Sequence, residues 1–318
     1  MTTNHAFSKA PHIVNLSIRG EFNVDVVRCD AEGNWLEKPR RVITAGNNLI
    51  TNVGMDRFGT NDLYSLSTYL HVGTGNTAPS NTDTALVDKV AAVSGGSPSL
   101  AWDTTSPKSA VFTRIYTFPT GAAAGVLNEL GLAVSLSGTL TTRALFVDGS
   151  GTPTAITVLS DEQLIVTYRL IFTASETDAT FVTTQQGTEY TLTLRPANLS
   201  VTLGADGGRL SAVNGVSGSA LLSAFNDGAA LGTVTGRPSG TENLIFSAAQ
   251  AYGTYTPGTY YRDDTISLTP SQGNFANVTA YELAGGTPFC LQIGISPPVS
   301  KTSSDSMGFT IRTSWARG

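Results

Sequence analysis

The chain has 318 residues and a net charge of -5; 40% are hydrophobic, 14% charged and 8% aromatic, with 33 Gly, 3 His and 2 Cys. An average soluble protein carries roughly 25% charged residues, so this chain is charge-poor, yet it is too apolar for disorder and long enough for two or three domains. Its Lys and Arg are scattered without the basic stripe of a nucleic-acid groove, no run of about 18 apolar residues predicts a membrane span, and Met1–His5 lacks the basic and apolar regions of a secretory leader, which points to synthesis in the cytoplasm.

Polarity comes instead from 44 Thr and 30 Ser. Thr is β-branched and suits a pleated, half-wet surface. The expected class is therefore all-β: two β-sandwich-like domains with one or two short helices in the N-terminal half. Val14, Leu16 and Ile18, then Phe22, Val24 and Val26 beyond Gly20, alternate as strand residues do and predict an N-terminal hairpin. Asp30–Asn34 reads as a turn and Lys38–Arg41 as a solvated basic loop. Asn47 through Phe58 predicts a helix capped by Asn47 or Asn48, with Gly54 as its weak point, since Gly costs about 1 kcal/mol relative to Ala. Ser80–Asp83 has the spacing of a capping box and predicts a second short helical turn.

Strands follow at Val111–Phe118, Leu130–Leu136 and Arg143–Val147, the last leading into the turn Asp148–Gly151. Leu164, Val166, Tyr168, Leu170 and Phe172 share one face of the strongest strand, with Ile165, Thr167, Arg169 and Ile171 as a mixed opposite face. Glu129 is the one charge inside an apolar strand. An edge or outward-facing position is the expectation for it, with a buried pair to Arg114 or Arg143 as the alternative. The Thr-rich stretch Ala174–Gly187 is the natural domain boundary. Beyond it Tyr190–Arg195, Leu199–Leu203, Leu244–Phe246, Ile266–Leu268, Val278–Leu283, Phe289–Ile295 and Phe309–Trp315 form a second set of strands. The organisation expected is a β-hairpin arm over 1–45, a β domain over 46–175 and a C-terminal β domain over 176–318.

Several segments, in order, carry a family resemblance. Asn48–Arg57 (NLITNVGMDR), His71–Leu86 (HVGTGNTAPSNTDTAL), Phe118–Gly125, Glu129–Leu132 (ELGL), Arg143–Phe146, Leu164–Tyr168 and the ending Ser314–Arg317 resemble tail-fibre and related virion proteins of tailed bacteriophages. The resemblance covers about residues 45 to 172. It implies a β-rich structural protein of the virion, made in the host cytoplasm, that assembles with itself as an oligomer, a trimer being favoured, and docks onto other virion tail or head-tail connector proteins. Collar, tail tip, tail fibre and head fibre all remain open positions. It implies no catalytic residues.

The residues by themselves offer little chemistry. His5, His12 and His71 lack metal-ligand spacing, and Cys29 and Cys290, far apart and without a CxxC pattern, are expected to be free thiols. Asp161-Glu162 and Asp263-Asp264 are adjacent pairs, which on a strand point to opposite faces, and both read as turn residues instead of a glycosidase pair. Asp206–Gly208 and Asn226–Gly228 lack the ligand ladder of a calcium loop, and no cofactor is expected. One cluster stands out: Tyr252, Tyr255, Tyr260 and Tyr261 around Pro257-Gly258. Tyrosines in a loop can stack on sugars or pack on a neighbouring subunit, so this is the expected receptor or subunit contact. A host-surface glycan is thus an alternative partner. A polysaccharide depolymerase comes third, since it needs a carboxylate pair that the sequence does not display.

Overall fold

A computed structural model describes residues 3–60, 66–103, 105, 107–197, 220–226, 228–234, 236–284 and 290–318. They form nineteen β-strands and one α-helix, so the chain is all-β, in large antiparallel sheets. The chain divides into two compact units. One comprises residues 18–102, 110–172 and 317–318; the other comprises 1–17, 103–109 and 173–316. The stretch expected to be a boundary, Ala174–Gly187, carries a strand of its own, and the chain crosses between the units just before it, at Thr173.

The first unit is built from β1 (Thr3–Arg28, whose first part belongs to the second unit), β2 (Arg40–Ile50), α1 (Asn52–Phe58), β3 (Tyr69–Gly73), β4 (Lys89–Ser94), β5 (Ser99–Asp103), β6 (Ser109–Thr117), β7 (Gly125–Leu127), β8 (Glu129–Ala133), β9 (Thr142–Leu145), β10 (Ile156–Val158) and β11 (Glu162–Ala174). Antiparallel pairing runs β1 to β2, β2 to β9, β9 to β8, β8 to β3 and β3 to β4, while β6 pairs with β11 and β7 with β10.

The N-terminal hairpin does not turn at Gly20: β1 runs unbroken through it, and its antiparallel partner is β2, beyond residues 29–39. Gly20 looked like a turn residue, but it lies within the pairing, opposite Asn48 of β2. Its missing side chain serves packing, because a Cβ there would come within 2.1 Å of the Tyr168 hydroxyl oxygen. The alternation itself holds, with Leu16, Ile18, Phe22, Val24 and Val26 all buried.

The helix starts later than the sequence suggests. Asn47 to Ile50 belong to β2, and Thr51 is the cap, its hydroxyl accepting from the Gly54 amide at 3.1 Å. Pairing of Leu49 with Arg143 and Ile50 with Thr142 outweighs the capping preference of Asn47 and Asn48. Ser80–Asp83 forms a turn and no helix: the Asp83 amide donates to Ser80 O at 3.0 Å while Asp83 Oδ2 accepts from the Ser80 amide at 2.8 Å. Only the side-chain half of a capping box forms, since the Asp83 amide is taken by the Ser80 carbonyl and not its hydroxyl, and no helix follows.

On β11 the face Leu164, Val166, Tyr168, Leu170 and Phe172 is fully buried, and the other face is mixed. Phe172 meets Phe58 of α1 edge-on at 5.7 Å, and Phe22 of β1 meets Phe146 at 6.1 Å. Such ring pairs add about 0.5 to 1.5 kcal/mol each beyond the area they bury.

The second unit adds β12 (Ala179–Gln185), β13 (Thr188–Ala197), β14 (Ala220–Asn226), β15 (Thr241–Tyr252), β16 (Tyr261–Leu268), β17 (Val278–Ala284), β18 (Cys290–Val299) and β19 (Asp305–Arg317). Antiparallel neighbours run β12, β13, β18, β17, β14, β15, β16, β19, and β19 also pairs with β1. Gln186 and Gly187, with φ of 50° and 78°, close the β12–β13 hairpin as a two-residue turn whose hand matches the strand twist. Met307, Phe309, Ile311, Thr313 and Trp315 alternate inward along β19, and Tyr281 packs edge-on against Phe309 at 5.2 Å. Leu199–Leu203 and Asp206–Gly208 lie outside the described residues, as does Asp227 in Asn226–Gly228.

Candidate functional site

Three of the segments that carry the resemblance, His71–Leu86, Glu129–Leu132 and Arg143–Phe146, meet in the first unit at one side chain, Arg143 of β9, which is 2% exposed. Its Nε donates to Glu129 Oε2 at 2.9 Å, Nη1 to Asp83 Oδ2 at 2.6 Å and Nη2 to the Thr77 carbonyl at 2.8 Å. Glu129, at the start of β8, has no exposed surface and uses Oε1 to accept from the amides of Gly75 and Asp88, each at 3.1 Å. The expected edge position of Glu129 is therefore wrong, and the alternative pair with Arg143 is right. Register explains it: β8 is flanked on both sides, by β3 and β9, so its charge had to be matched from within.

Glycines make the close approach possible. A Cβ on Gly75 would stand 2.4 Å from Glu129 Oε1, and one on Gly73 would stand 2.4 Å from Asp88 O and 2.9 Å from Glu129 Oε1. Burial works to raise the Asp83 pKa, but the Ser80 amide and the Arg143 guanidinium outweigh it and hold the carboxyl below its ordinary value. For Arg143, burial disfavours the charge, and Asp83 and Glu129 together still raise it. Every polar atom of the cluster named here is matched by another, an arrangement suited to holding loops and strands in place.

The other candidate residues sit elsewhere. His71 is buried on β3 with Nε2 3.0 Å from Ser135 O, and burial lowers its pKa. Cys29 is buried and free. Among the described residues no group of three His, Cys, Asp or Glu could hold a metal ion, and no helix is long and apolar enough to cross a membrane. Asp161 precedes β11 and accepts from Arg28 Nη2 at 2.7 Å, whereas Glu162 is buried and accepts from the Leu159 amide at 2.8 Å. A hollow of about 280 Å3 is lined by Asn76, Asn128, Phe146, Pro153 and Thr154 without a titratable side chain.

The tyrosines belong to the second unit. Tyr252 ends β15 opposite Asp264, and Tyr260, at φ 53°, precedes β16, its carbonyl accepting from the Trp315 amide at 2.9 Å. Tyr255 lies on Trp315 with ring centres 5.5 Å apart, and Tyr261 has the Arg312 guanidinium 3.7 Å above its ring. Asp263 and Asp264, expected in a turn, are inside β16, because pairing with β19 continues through both and pairing with β15 reaches Asp264. They do point to opposite faces. Asp263 takes two bonds from Arg312, at 2.7 and 2.9 Å, and Asp264 pairs with Arg262 at 3.0 Å in the interior. Burial pushes the Asp264 carboxyl up to about 6 despite Arg262. In the sequence the signal for this pair was the Arg-x-Asp spacing on a strand, which sets both on one face.

No known protein family, curated protein or solved structure matches the chain.

Proposed function

We propose that the chain is a structural component of a tailed-phage virion, assembling as an oligomer and docking onto other virion proteins. The observation that supports this reading is the Arg143 cluster. His71–Asp83, Glu129 and Arg143, taken from separate resembling segments, serve one buried and internally matched network, which is what a motif selected for architecture does. A chain with only 5 Lys supports it further, because Lys is a common guard against strand pairing at sheet edges, and subunit contact removes the need for it. In this reading the tyrosine-bearing loop of the second unit is the outward or subunit-contacting part.

Two measurements test the proposal. Antibody raised against the recombinant chain should label intact particles from a lysate containing the gene, at a fixed place on each particle; label confined to the soluble fraction refutes it. Light scattering behind size exclusion should give a discrete multiple of the 33.2 kDa chain, and a stable monomer at micromolar concentration removes the oligomer.

A further inference from the structure

We propose that the loop bearing Trp35 is a saccharide-stacking site, with the indole face as platform and Gln163, Thr120 and Arg28 around it, and that it takes a neutral pyranose. Trp35 is 55% exposed and its neighbour Leu36 63%, whereas Trp315 is 3% exposed. An exposed indole of this kind is held here with unusual care. Asp30 Oδ1 accepts from the amides of Glu32 and Asn34 at 3.1 and 2.7 Å, and Oδ2 accepts from Asn34 Nδ2 at 3.0 Å. Gly33 turns the loop at φ 84°, Trp35 is bridged to Cys29, and the Leu36 amide donates to Arg28 O at 2.9 Å.

The indole Nε1 donates to Gln163 Oε1 at 3.0 Å. Its one donor is thus used, and what it still offers is its flat apolar face, the surface on which the C–H bonds of a sugar ring lie well. Directional partners for hydroxyls stand beside it. Gln163 Nε2 makes only a long contact, 3.5 Å, to Thr120 Oγ1, and both atoms lie 3.9 Å from where a Gly33 Cβ would be, so that glycine leaves them reachable. Arg28 engages Asp161 through Nε and Nη2, and among the described residues its Nη1 has no partner.

The same geometry argues against other occupants. A peptide cannot add as a strand along this loop through the Cys29 and Leu36 amides, which already donate to Asp161 O and Arg28 O. A polyanion is disfavoured, since three of the four cations in this stretch already face carboxylates, Arg28 on Asp161, Arg40 on Glu162 and Arg41 on Asp25. This inference does not rest on the virion reading: binding and particle labelling are measured separately and either can fail alone.

The test is titration of the full chain with maltotriose, cellotriose and chitotriose, followed by amide and indole chemical shifts. A saturable shift of the Trp35 Nε1–H is expected with at least one of them, in the millimolar range typical of a single stacking platform, about 0.1 to 10 mM. Trp35→Ala should weaken binding at least about tenfold, Trp35→Phe should retain most of it because a ring remains, and Leu136→Ala, an exposed side chain outside this loop, should bind as the unchanged chain does. No saturable shift with any of the three sugars overturns the proposal, as does equal binding by Trp35→Ala. If Trp35→Ala does not fold, the unchanged chain decides: shifts centred on residues 30–36, 120 and 163 support the site, and shifts centred elsewhere overturn it.

Discussion

Replacing Arg143 by Ala removes three donors from a place that water does not reach. Glu129, with no exposed surface, keeps the amides of Gly75 and Asp88 on Oε1 but has nothing on Oε2, and the Thr77 carbonyl loses its guanidinium partner. Asp83, whose side chain is 22% exposed, retains the Ser80 amide and some solvent. Breaking a buried pair by deleting one partner costs about 3 to 5 kcal/mol, because the remaining charge is uncompensated. For a unit of this size each kcal/mol moves the melting temperature by roughly 2 to 4 °C, so calorimetry should show the first unit melting about 6 to 20 °C lower. Replacing both partners, Glu129→Gln with Arg143→Met, leaves no fully buried charge unpaired, Asp83 alone keeping its charge beside solvent, and should recover at least about 2 kcal/mol relative to the sum of the single changes. Acid probes the same cluster. The native state holds Asp83 below its ordinary pKa, so the unfolded chain binds the proton first as pH falls, and the Asp83 contribution is lost on acidification below about pH 4. An Arg143→Ala cost under about 1 kcal/mol, or strict additivity in the double variant, would show that the cluster is not a stabilising device.

Three further outcomes are expected. Gly54→Ala should destabilise by about 1 to 3 kcal/mol in urea unfolding, although helix propensity alone favours Ala by about 1, because the new Cβ would stand 2.1 Å from the Thr141 carbonyl; a stabilised variant refutes the contact. Asp264, with its pKa raised from 3.8 to about 6, keeps a proton that the unfolded chain has released, so its contribution to stability falls as pH rises from about 4 to about 6. A carboxyl carbon titration should find that midpoint, and Asp264→Asn should flatten this part of the melting-temperature profile. Gln186→Asn should raise stability by about 0.5 kcal/mol, since Asn accepts the positive φ of this turn more readily; no change or a loss would speak against strain at that position.

What was legible in the sequence was whatever depends on period and local chemistry. The buried face of β11, the inward alternation of β19 and the Asp30 and Asp148 turns needed only neighbours in the chain. What was not legible depends on partners far away. Gly20 announces a turn in any local reading, and only the Tyr168 hydroxyl explains it as a residue within a strand. Asn47 and Asn48 are good caps, but Thr142 and Arg143, nearly a hundred residues on, recruit their strand and move the helix start to Thr51. Glu129 carried both possibilities, and the decision lay in its having strands on both sides. For the candidate site, tyrosine clustering drew attention by composition, whereas Trp35 drew none, because its exposure and its bond to Gln163 follow from folding.

The division of β1 between two units also sets a timetable. Residues 3–17 of β1 are made well before β19 (Asp305–Arg317), the strand with which β1 pairs. At synthesis rates of about 5 to 20 residues per second, the early segment waits roughly 15 to 60 seconds on the ribosome before its partner exists. The first unit has almost all of its residues by Phe172, yet Arg317, far along the chain, donates to Ile50 O at 2.6 Å and Asn52 Oδ1 at 2.7 Å. Strand β1 is therefore completed only by residues made nearly three hundred positions later.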